Sequence, residues 1–216
     1  MKKILLSWML LLCAALPLSA HVIKYELDKL EPGNVFVKYL QLGYQHIIPL
    51  GLDHILFILC IFFINNKLKS IVLQASMFTL AHSITLGLAA YGIIQPPANV
   101  VEPLIALSIF FLAMENIFTS TVKPWRMGMV FLFGLIHGMG FASVLNELGI
   151  PKYAFFNALI AFNIGVELGQ ITIILLMYLL VARTFSHNVW YRRRIVIPAS
   201  IVISIVAGYW TIVRIL

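Results

Sequence analysis

Residues 153–182 read YAFFNALIAFNIGVELGQITIILLMYLLVA, and Glu167 is the only acidic or basic side chain in this segment. A helix that crosses the hydrocarbon core of a bilayer needs about 20 predominantly apolar residues. The segment is long enough for that, and an apolar run of this length indicates a transmembrane helix rather than a helix in the core of a soluble protein. The chain is therefore expected to span a membrane.

The composition of the whole chain agrees with this interpretation. Of the 216 residues, 62% are hydrophobic and 11% are charged, and the mean hydropathy is +0.99. Soluble domains are about 45–50% apolar and about 25% charged, so an ordinary soluble globule and a disordered chain are excluded. Cys13 and Cys60 both lie in apolar runs, which excludes a disulfide framework and a CxxC metal motif. We predict an all-α polytopic membrane protein.

The N-terminus has the pattern of a secretory signal peptide over residues 1–20. Lys2 and Lys3 precede an apolar stretch, and Leu18-Ser19-Ala20 supplies the small residues of a cleavage site. The alternative is a first span that is not cleaved. Residues 21–45 mix polar and apolar side chains, which indicates an extracytoplasmic segment, with an amphipathic helix at the membrane interface as one form it can take.

Residues 46–216 are predicted to form a domain of six transmembrane helices, at about 47–64, 70–92, 99–119, 127–146, 153–182 and 195–214. With the mature N-terminus outside, the loops on the inner side carry eight basic residues, whereas the outer loops carry only Lys152. This asymmetry is the one that the positive-inside rule requires. The net charge of +7 therefore indicates orientation in a bacterial inner membrane, with a periplasmic N-terminus, rather than a nucleic-acid partner. The eight are Lys67, Lys69, Lys123, Arg126, Arg183, Arg192, Arg193 and Arg194.

Ionisable side chains inside the predicted spans are the first candidates for function. Each ionised group costs roughly 2.5–3.5 kcal/mol at the centre of an inserted helix. Arg214 is the only basic residue in a predicted span, so we expect the acids to need protons, water or a metal cation. Histidine together with carboxylate suits a first-row divalent ion such as nickel, cobalt, zinc or copper. The residues are Asp53, Glu102, Glu115, Glu167, His54, His82 and His137, with His46 at the edge of the first span.

The sharpest motif is HIIPLGLDH, which runs from His46 to Asp53 and His54. Adjacent residues diverge by about 100° on a helix, so Asp53 and His54 both reach one ion only if the helix end is distorted or if one supports the other. Pro49 and Gly51 supply a break that lets His46 fold back over this position. A carboxylate that accepts the N–H of a metal-bound imidazole is common. The alternative is a structural Asp–His hydrogen bond between helices.

Two further histidines lie in the second and fourth predicted spans. His82 shares a helical face with Thr79 and Ser83, and hydrogen bonds between helices are the alternative to a site role. His137 lies in GLIHGMG, where the glycines allow another helix to approach closely or leave room for an ion. We predict both histidines as metal ligands, together with His46, Asp53 and His54. In the predicted orientation all five lie in the outer half of the membrane or near its middle.

Polar residues on the third and fifth spans extend the candidate site. Asn163 and Glu167 are four residues apart and share one helical face, which predicts either the lining of an ion path or a buried network with a protonated Glu167. Glu102 precedes Pro103 at the start of a predicted helix, where the helix dipole also favours a carboxylate. We assign Glu102, Asn163 and Glu167 to the transport path.

The motifs taken together resemble those of the HupE/UreJ family of bacterial membrane proteins. They are HIIPLGLDHILFIL, FTLAHSITLGLA, VEPLIALSI, GLIHGMGFASVL and FNIGVELGQ. The resemblance implies a nickel or cobalt permease, or an accessory of hydrogenase and urease maturation, with His46, Asp53 and His54 as its functional core. Six residues separate His46 from Asp53, where better-studied members have five, so the chain resembles a divergent branch.

The sequence thus predicts a transporter of a divalent transition metal, nickel or cobalt first and zinc next. A homo-oligomer and metalloenzyme-maturation partners are possible associations. Two other functions remain open. Three intramembrane histidines with an aspartate can hold a zinc ion that activates water for hydrolysis, although no HExxH motif is present. A metal sensor or assembly factor is the third possibility. A polar route leading inward from the histidines would favour transport.

Overall fold

The computed structural model describes residues 32–65, 67–141 and 152–216, and the predicted signal peptide lies outside them. Every regular element in these residues is helical, which confirms the all-α class. The helix that begins at Phe155 continues through Phe185, and a short π-helical turn from Arg192 leads into the helix that begins at Ile197. The seven helices of twelve or more residues are α1 (Pro32–Ile47), α2 (Leu52–Phe63), α3 (Leu68–Ala90), α4 (Ala98–Phe118), α5 (Arg126–Gly140), α6 (Phe155–Met177) and α7 (Ile197–Ile215).

Four helices are long and apolar enough to cross a membrane, namely α3, α4, α6 with its extension and α7 with its preceding turn. Their ends lie within three residues of the spans predicted at 70–92, 99–119, 153–182 and 195–214. These helices are 21 to 31 residues long. Turn-forming or charged residues lie near their ends in the sequence, so the predicted ends are close to the observed ends.

The first predicted span differs from the structure. The span predicted at 47–64 contains α2, whose 12 residues extend about 18 Å, well short of the roughly 30 Å hydrocarbon core. Helix α1 precedes it at a bend of 68°. Together the two helices are long and apolar enough for one broken span. The described part of the span predicted at 127–146 is α5, and residues 142–146 of that prediction lie outside the described residues. The described residues therefore contain four full-length candidate spans, or five with the broken pair.

The bend between α1 and α2 has a local cause in residues 48–51. Pro49 has no N–H to donate to a preceding turn, which interrupts the helical hydrogen bonds. A Cβ atom on Gly51 would collide with the backbone carbonyl oxygen of His46. Glycine thus lets the start of α2 fold closely against the end of α1, and the motif from His46 to His54 brackets the bend.

Glycines also allow close approach between helices farther apart in sequence. A Cβ atom on Gly165 of α6 would collide with the carbonyl oxygen of Leu40 in α1. Likewise, a Cβ atom on Gly138 of α5 would collide with the carbonyl oxygen of His82 in α3. Small residues at contacts of this kind are typical of membrane helices, whose backbones pack closely. Among the described helices, the pairs α1–α6, α3–α5 and α4–α7 make the most extensive contacts.

The outer surface of the bundle is apolar. Phe118, Phe156 and Leu180 are each more than two thirds exposed, and many other large apolar side chains face outward in the same way. Soluble monomers rarely expose continuous apolar surface on this scale. The surface is therefore suited to contact lipid acyl chains.

Candidate metal site

Four histidines from four helices meet beside the bend between α1 and α2. His54, in the first turn of α2, is the central ring. Its ring centroid lies 4.6 Å from that of His46, 5.7 Å from that of His82 and 5.3 Å from that of His137. These partners come from the last turn of α1, the second half of α3 and the last turn of α5. The structure thus brings together the four histidines that the sequence analysis grouped by depth.

Asp53 lies beside the cluster and orients its central ring. The Nδ1 atom of His54 lies 3.0 Å from Oδ1 of Asp53, which also accepts the backbone N–H of His54 at 2.8 Å. A carboxylate oxygen accepts the bond, so Nδ1 of His54 carries the proton and the lone pair of the ring is on Nε2. Asp53 is placed as a partner of a histidine, which is the arrangement that commonly supports a metal-bound imidazole.

The backbone fixes His137 in the same tautomer. Its Nδ1 atom lies 2.8 Å from the carbonyl oxygen of Phe133, one turn earlier in α5. A carbonyl oxygen can only accept, so Nδ1 donates and the lone pair again lies on Nε2. Two of the four rings are therefore held with Nε2 available as a ligand.

The Nε2 atoms of all four histidines are buried and find no hydrogen-bond partner in the described part of the chain, and for His82 this holds for Nδ1 as well. Buried polar atoms are nearly always hydrogen-bonded, and each exception needs an explanation. An imidazole lone pair is a good ligand for zinc, copper, iron or nickel, so the donor set fits a first-row metal ion. In the described residues, however, no three His, Cys, Asp or Glu side chains are arranged so that they could hold one metal ion together in this conformation.

A cavity of about 210 Å³ leads to three of these rings. His46, His54 and His137 line it together with Asp53, whereas His82 lies beneath them and is fully buried. Glu102 also lines the cavity and is exposed, so the cavity reaches the molecular surface there. Phenylalanine rings close the cluster on its other sides, with the Phe78 centroid 4.9 Å from that of His137 and the Phe141 centroid 3.9 Å from that of His46.

Arg214 adds a positive charge at the mouth of this cavity. Its Nη1 atom donates to the backbone oxygen of Glu102 at 3.1 Å, and its guanidinium lies 5.3 Å from the ring centroid of Trp210. Asp53 and Glu102 line the same cavity, so acidic and basic side chains lie together there. In the sequence, Arg214 is recognisable only as a basic residue at the end of a predicted span.

Glu167 and Gln170 of α6 contact α3, and neither lines the cavity. Ser76 donates to Oε1 of Glu167 at 2.6 Å, and Nε2 of Gln170 donates to the hydroxyl of Thr79 at 3.0 Å. Asn163 donates to the carbonyl oxygen of its own helix at Leu159. One side-chain oxygen each of Asn163, Glu167 and Gln170 is buried without a hydrogen-bond partner among the described residues. Polar contacts therefore continue from the depth of His82 along the α3–α6 contact.

The expectation that the intramembrane acids lack a basic partner is wrong for Glu115. Arg126 donates to its carboxylate, to Oε1 of Gln74 at 2.9 Å and to the carbonyl oxygen of Cys60 at 3.1 Å. The Arg126 side chain is fully buried, although it was assigned to an inner loop. Arg126, Val130 and His137 lie on one face of α5, and all three are buried.

The comparison with known families agrees with the resemblance seen in the motifs. A family model described as HupE / UreJ protein matches residues 23–214, which is nearly the whole chain. No curated protein and no solved structure matched the chain. Because the matched region includes all four clustered histidines and nearly all of the seven helices described here, the chain belongs to the HupE/UreJ family of membrane proteins.

Proposed function

We propose that this protein carries a divalent transition-metal ion, nickel or cobalt first and zinc next, across the bacterial inner membrane. One observation carries the proposal: four buried Nε2 atoms from four helices lack hydrogen-bond partners among the described residues. Bare imidazole nitrogens are costly to bury, and a metal ion would satisfy them. The family, which is associated with nickel and cobalt transport or metalloenzyme maturation, supports the same substrate class.

The bend between α1 and α2 supports transport in particular. Binding sites of secondary transporters are often formed where a membrane helix is interrupted, near the middle of the bilayer. Here His46 lies in the last turn of α1, and Asp53 and His54 lie in the first turn of α2. If the α1–α2 pair and α5 each cross the membrane once, the bundle has six crossings. With six crossings and a periplasmic N-terminus, the loops that carry most of the basic residues lie on the inner side.

In the proposed path, an ion enters past Glu102 and reaches the rings of His46, His54 and His137. Two of those rings, His54 and His137, are held by their Nδ1 hydrogen bonds with Nε2 available for the ion. Ligand exchange with His82 then carries the ion deeper. From there the contacts of Glu167 and Gln170 with α3 lead toward Gln74 and the Arg126–Glu115 pair. Proton competition for the imidazoles opposes binding, because ligating histidine must be neutral.

Nickel and cobalt accumulation in cells that lack other uptake systems for these ions tests the proposal. We expect His54→Ala and His82→Ala to reduce accumulation to background, since each removes a central or deep ligand. His187 is exposed in the loop between α6 and α7, so His187→Ala is the matched control and should leave accumulation unchanged. Unchanged uptake in both cluster variants, at equal protein levels, would falsify the proposed site.

The same histidines would also suit a zinc hydrolase or a metal sensor, because three of them share a cavity with space for a further ligand. Purified protein in sealed liposomes separates these functions. A transporter moves nickel into the lumen and loses this flux in His82→Ala. Stoichiometric binding without flux would favour a sensor or an enzyme.

A further inference from the structure

A second cavity lies at the opposite end of the bundle from the histidines. Its volume is about 200 Å³, below the roughly 300–1,000 Å³ of pockets for drug-sized ligands. Its walls come from the end of α2, the segment after α4 and the turn that leads into α7. The lining is part apolar and part polar: Phe63, Ile64, Asn65, Ser120, Tyr191, Arg192 and Val196. None of these residues belongs to the proposed metal path.

Arg192 is the charged group of this cavity. Its side chain is half-buried, and Nη2 donates to the carbonyl oxygen of Ile117 at the end of α4 at 3.0 Å. A guanidinium has five N–H donors, so this bond holds the group in place and leaves the others available. The ion pairs formed by the described residues are Asp53–His54 and Glu115–Arg126. Arg192 therefore has no carboxylate partner among them, and an anion would complete its hydrogen bonding.

Neutral donors stand beside this guanidinium. Ser120 contributes an exposed hydroxyl, and Tyr191 contributes a half-buried phenol. Burial raises the pKa of Tyr191 above its ordinary value, so the phenol stays protonated and can donate. The carboxamide oxygen of Asn65 accepts the backbone N–H of Lys67 at 2.9 Å, which leaves its NH₂ group as a further donor. Fixed donors around an arginine suit a phosphate group.

The surroundings indicate where that phosphate comes from. Lys67, Lys69, Lys123, Arg183 and Arg193 are exposed at the same end of the helices, and none of them is paired with an acid in the described residues. Phe63, Ile64 and Val196 give the cavity an apolar wall beside the ends of membrane helices, at the level where lipid headgroups lie. Basic pockets between transmembrane helices are typical sites for anionic headgroups.

We propose that this cavity binds the phosphate of an anionic phospholipid, with Arg192 as the charged ligand and Tyr191 and Ser120 as neutral donors. The lipid would be held between α2, α4 and α7 at the end where Arg192 reaches the last turn of α4. This binding is independent of the metal site, so it is tested without any metal.

The test measures binding of phosphatidylglycerol and phosphatidylcholine to purified, delipidated protein by native mass spectrometry. We expect phosphatidylglycerol to be retained over phosphatidylcholine, and Arg192→Gln to weaken that retention about tenfold or more, the range for a charge-assisted hydrogen bond. Arg193→Gln is the matched control, because it removes the same charge from the next residue, which does not line the cavity. The Arg193→Gln variant should retain phosphatidylglycerol about as well as the unmodified protein does.

Three outcomes would overturn the proposal. Equal retention of the two lipids would remove the anionic preference, and equal losses in Arg192→Gln and Arg193→Gln would show a diffuse effect of surface charge. Displacement of the lipid by millimolar inorganic phosphate would identify a soluble phosphate as the ligand. If Arg192→Gln changes the helicity or monodispersity of the protein, the Tyr191→Phe variant decides the question instead. It keeps the aromatic ring and loses one hydrogen-bond donor, so we expect it to retain phosphatidylglycerol several-fold more weakly.

Discussion

Arg126 and Glu115 form a buried ion pair between α5 and α4, and the same guanidinium also binds α3 through Gln74 and α2 through the carbonyl oxygen of Cys60. Asn116 donates to that carbonyl oxygen as well, at 2.9 Å. One side chain thus joins four helices at the end of the bundle opposite the histidine cluster. Because both charges are buried, neither can be removed alone without leaving the other uncompensated.

We therefore expect Arg126→Met to lower the free energy of unfolding by about 3–5 kcal/mol. The double variant Arg126→Met with Glu115→Leu should recover a large part of this loss, since it removes both charges and fills similar volume. Thermal unfolding in detergent, followed by helical circular dichroism, measures the difference. A double variant no more stable than Arg126→Met would contradict the interpretation of this pair as the source of the loss.

Asp53 is expected to act on metal affinity through His54. Asp53→Ala removes the carboxylate that holds Nδ1 of His54, and loss of such a partner lowers metal affinity by about 10- to 100-fold. Glu102→Gln is the control, because it removes an equal charge from the same cavity, and the contacts of Glu102 involve no clustered histidine. Nickel titration by calorimetry compares the two. Equal, small effects would show that Asp53 acts only as a charge at the mouth.

The contact between α3 and α5 should be sensitive to a single methyl group. Gly138→Ala places a Cβ atom against the carbonyl oxygen of His82 and the hydroxyl of Thr85, whereas a Cβ atom at Gly128 of the same helix meets nothing within 4 Å. Overpacking of this kind typically costs about 1–3 kcal/mol. We expect Gly138→Ala to destabilise the protein and weaken nickel binding. Gly128→Ala should be neutral or slightly stabilising, because alanine favours helix.

The proposed orientation is checked by labelling single cysteines in intact cells. Val189 is fully exposed between α6 and α7, and Tyr91 is 69% exposed after α3. In a background without Cys13 and Cys60, we expect a membrane-impermeant maleimide to label Tyr91→Cys from outside the inner membrane. Val189→Cys should react only after the membrane is permeabilised. The reverse pattern would place the basic loops outside and would reverse the proposed direction of the site.

The sequence predicted the parts of the fold that depend on long apolar runs. Helices α3, α4, α6 and α7 follow from such runs, and the depth of His82 and His137 followed from their positions within them. Helix α1 was missed as a partner of α2, because its polar residues suggested an interfacial segment. Its close contact with α6 depends on Gly43 and Gly165, whose role is visible only once the helices are paired.

Two features of the site could not be predicted, because they depend on which helices meet. Arg126 borders a predicted loop in the sequence, and only the approach of α3 and α4 shows that its charge is compensated inside the bundle. The convergence of His82 and His137 on His54 likewise results from the contact between α3 and α5, to which Gly138 contributes. A single sequence shows which residue types lie in which apolar run, whereas their mutual distances are set by tertiary contacts.

Helix α2 is only 12 residues long and carries Asp53 and His54 in its first turn, beside the bend. Its length affects how this part of the chain is inserted into the membrane. The insertion machinery selects segments by length and hydrophobicity, and a polar pair at one end of so short a segment weakens its selection. We therefore expect helices α1 and α2 to enter the bilayer as one bent unit. His46, Asp53 and His54 would then be delivered together, before the ribosome has completed the helices that carry His82 and His137.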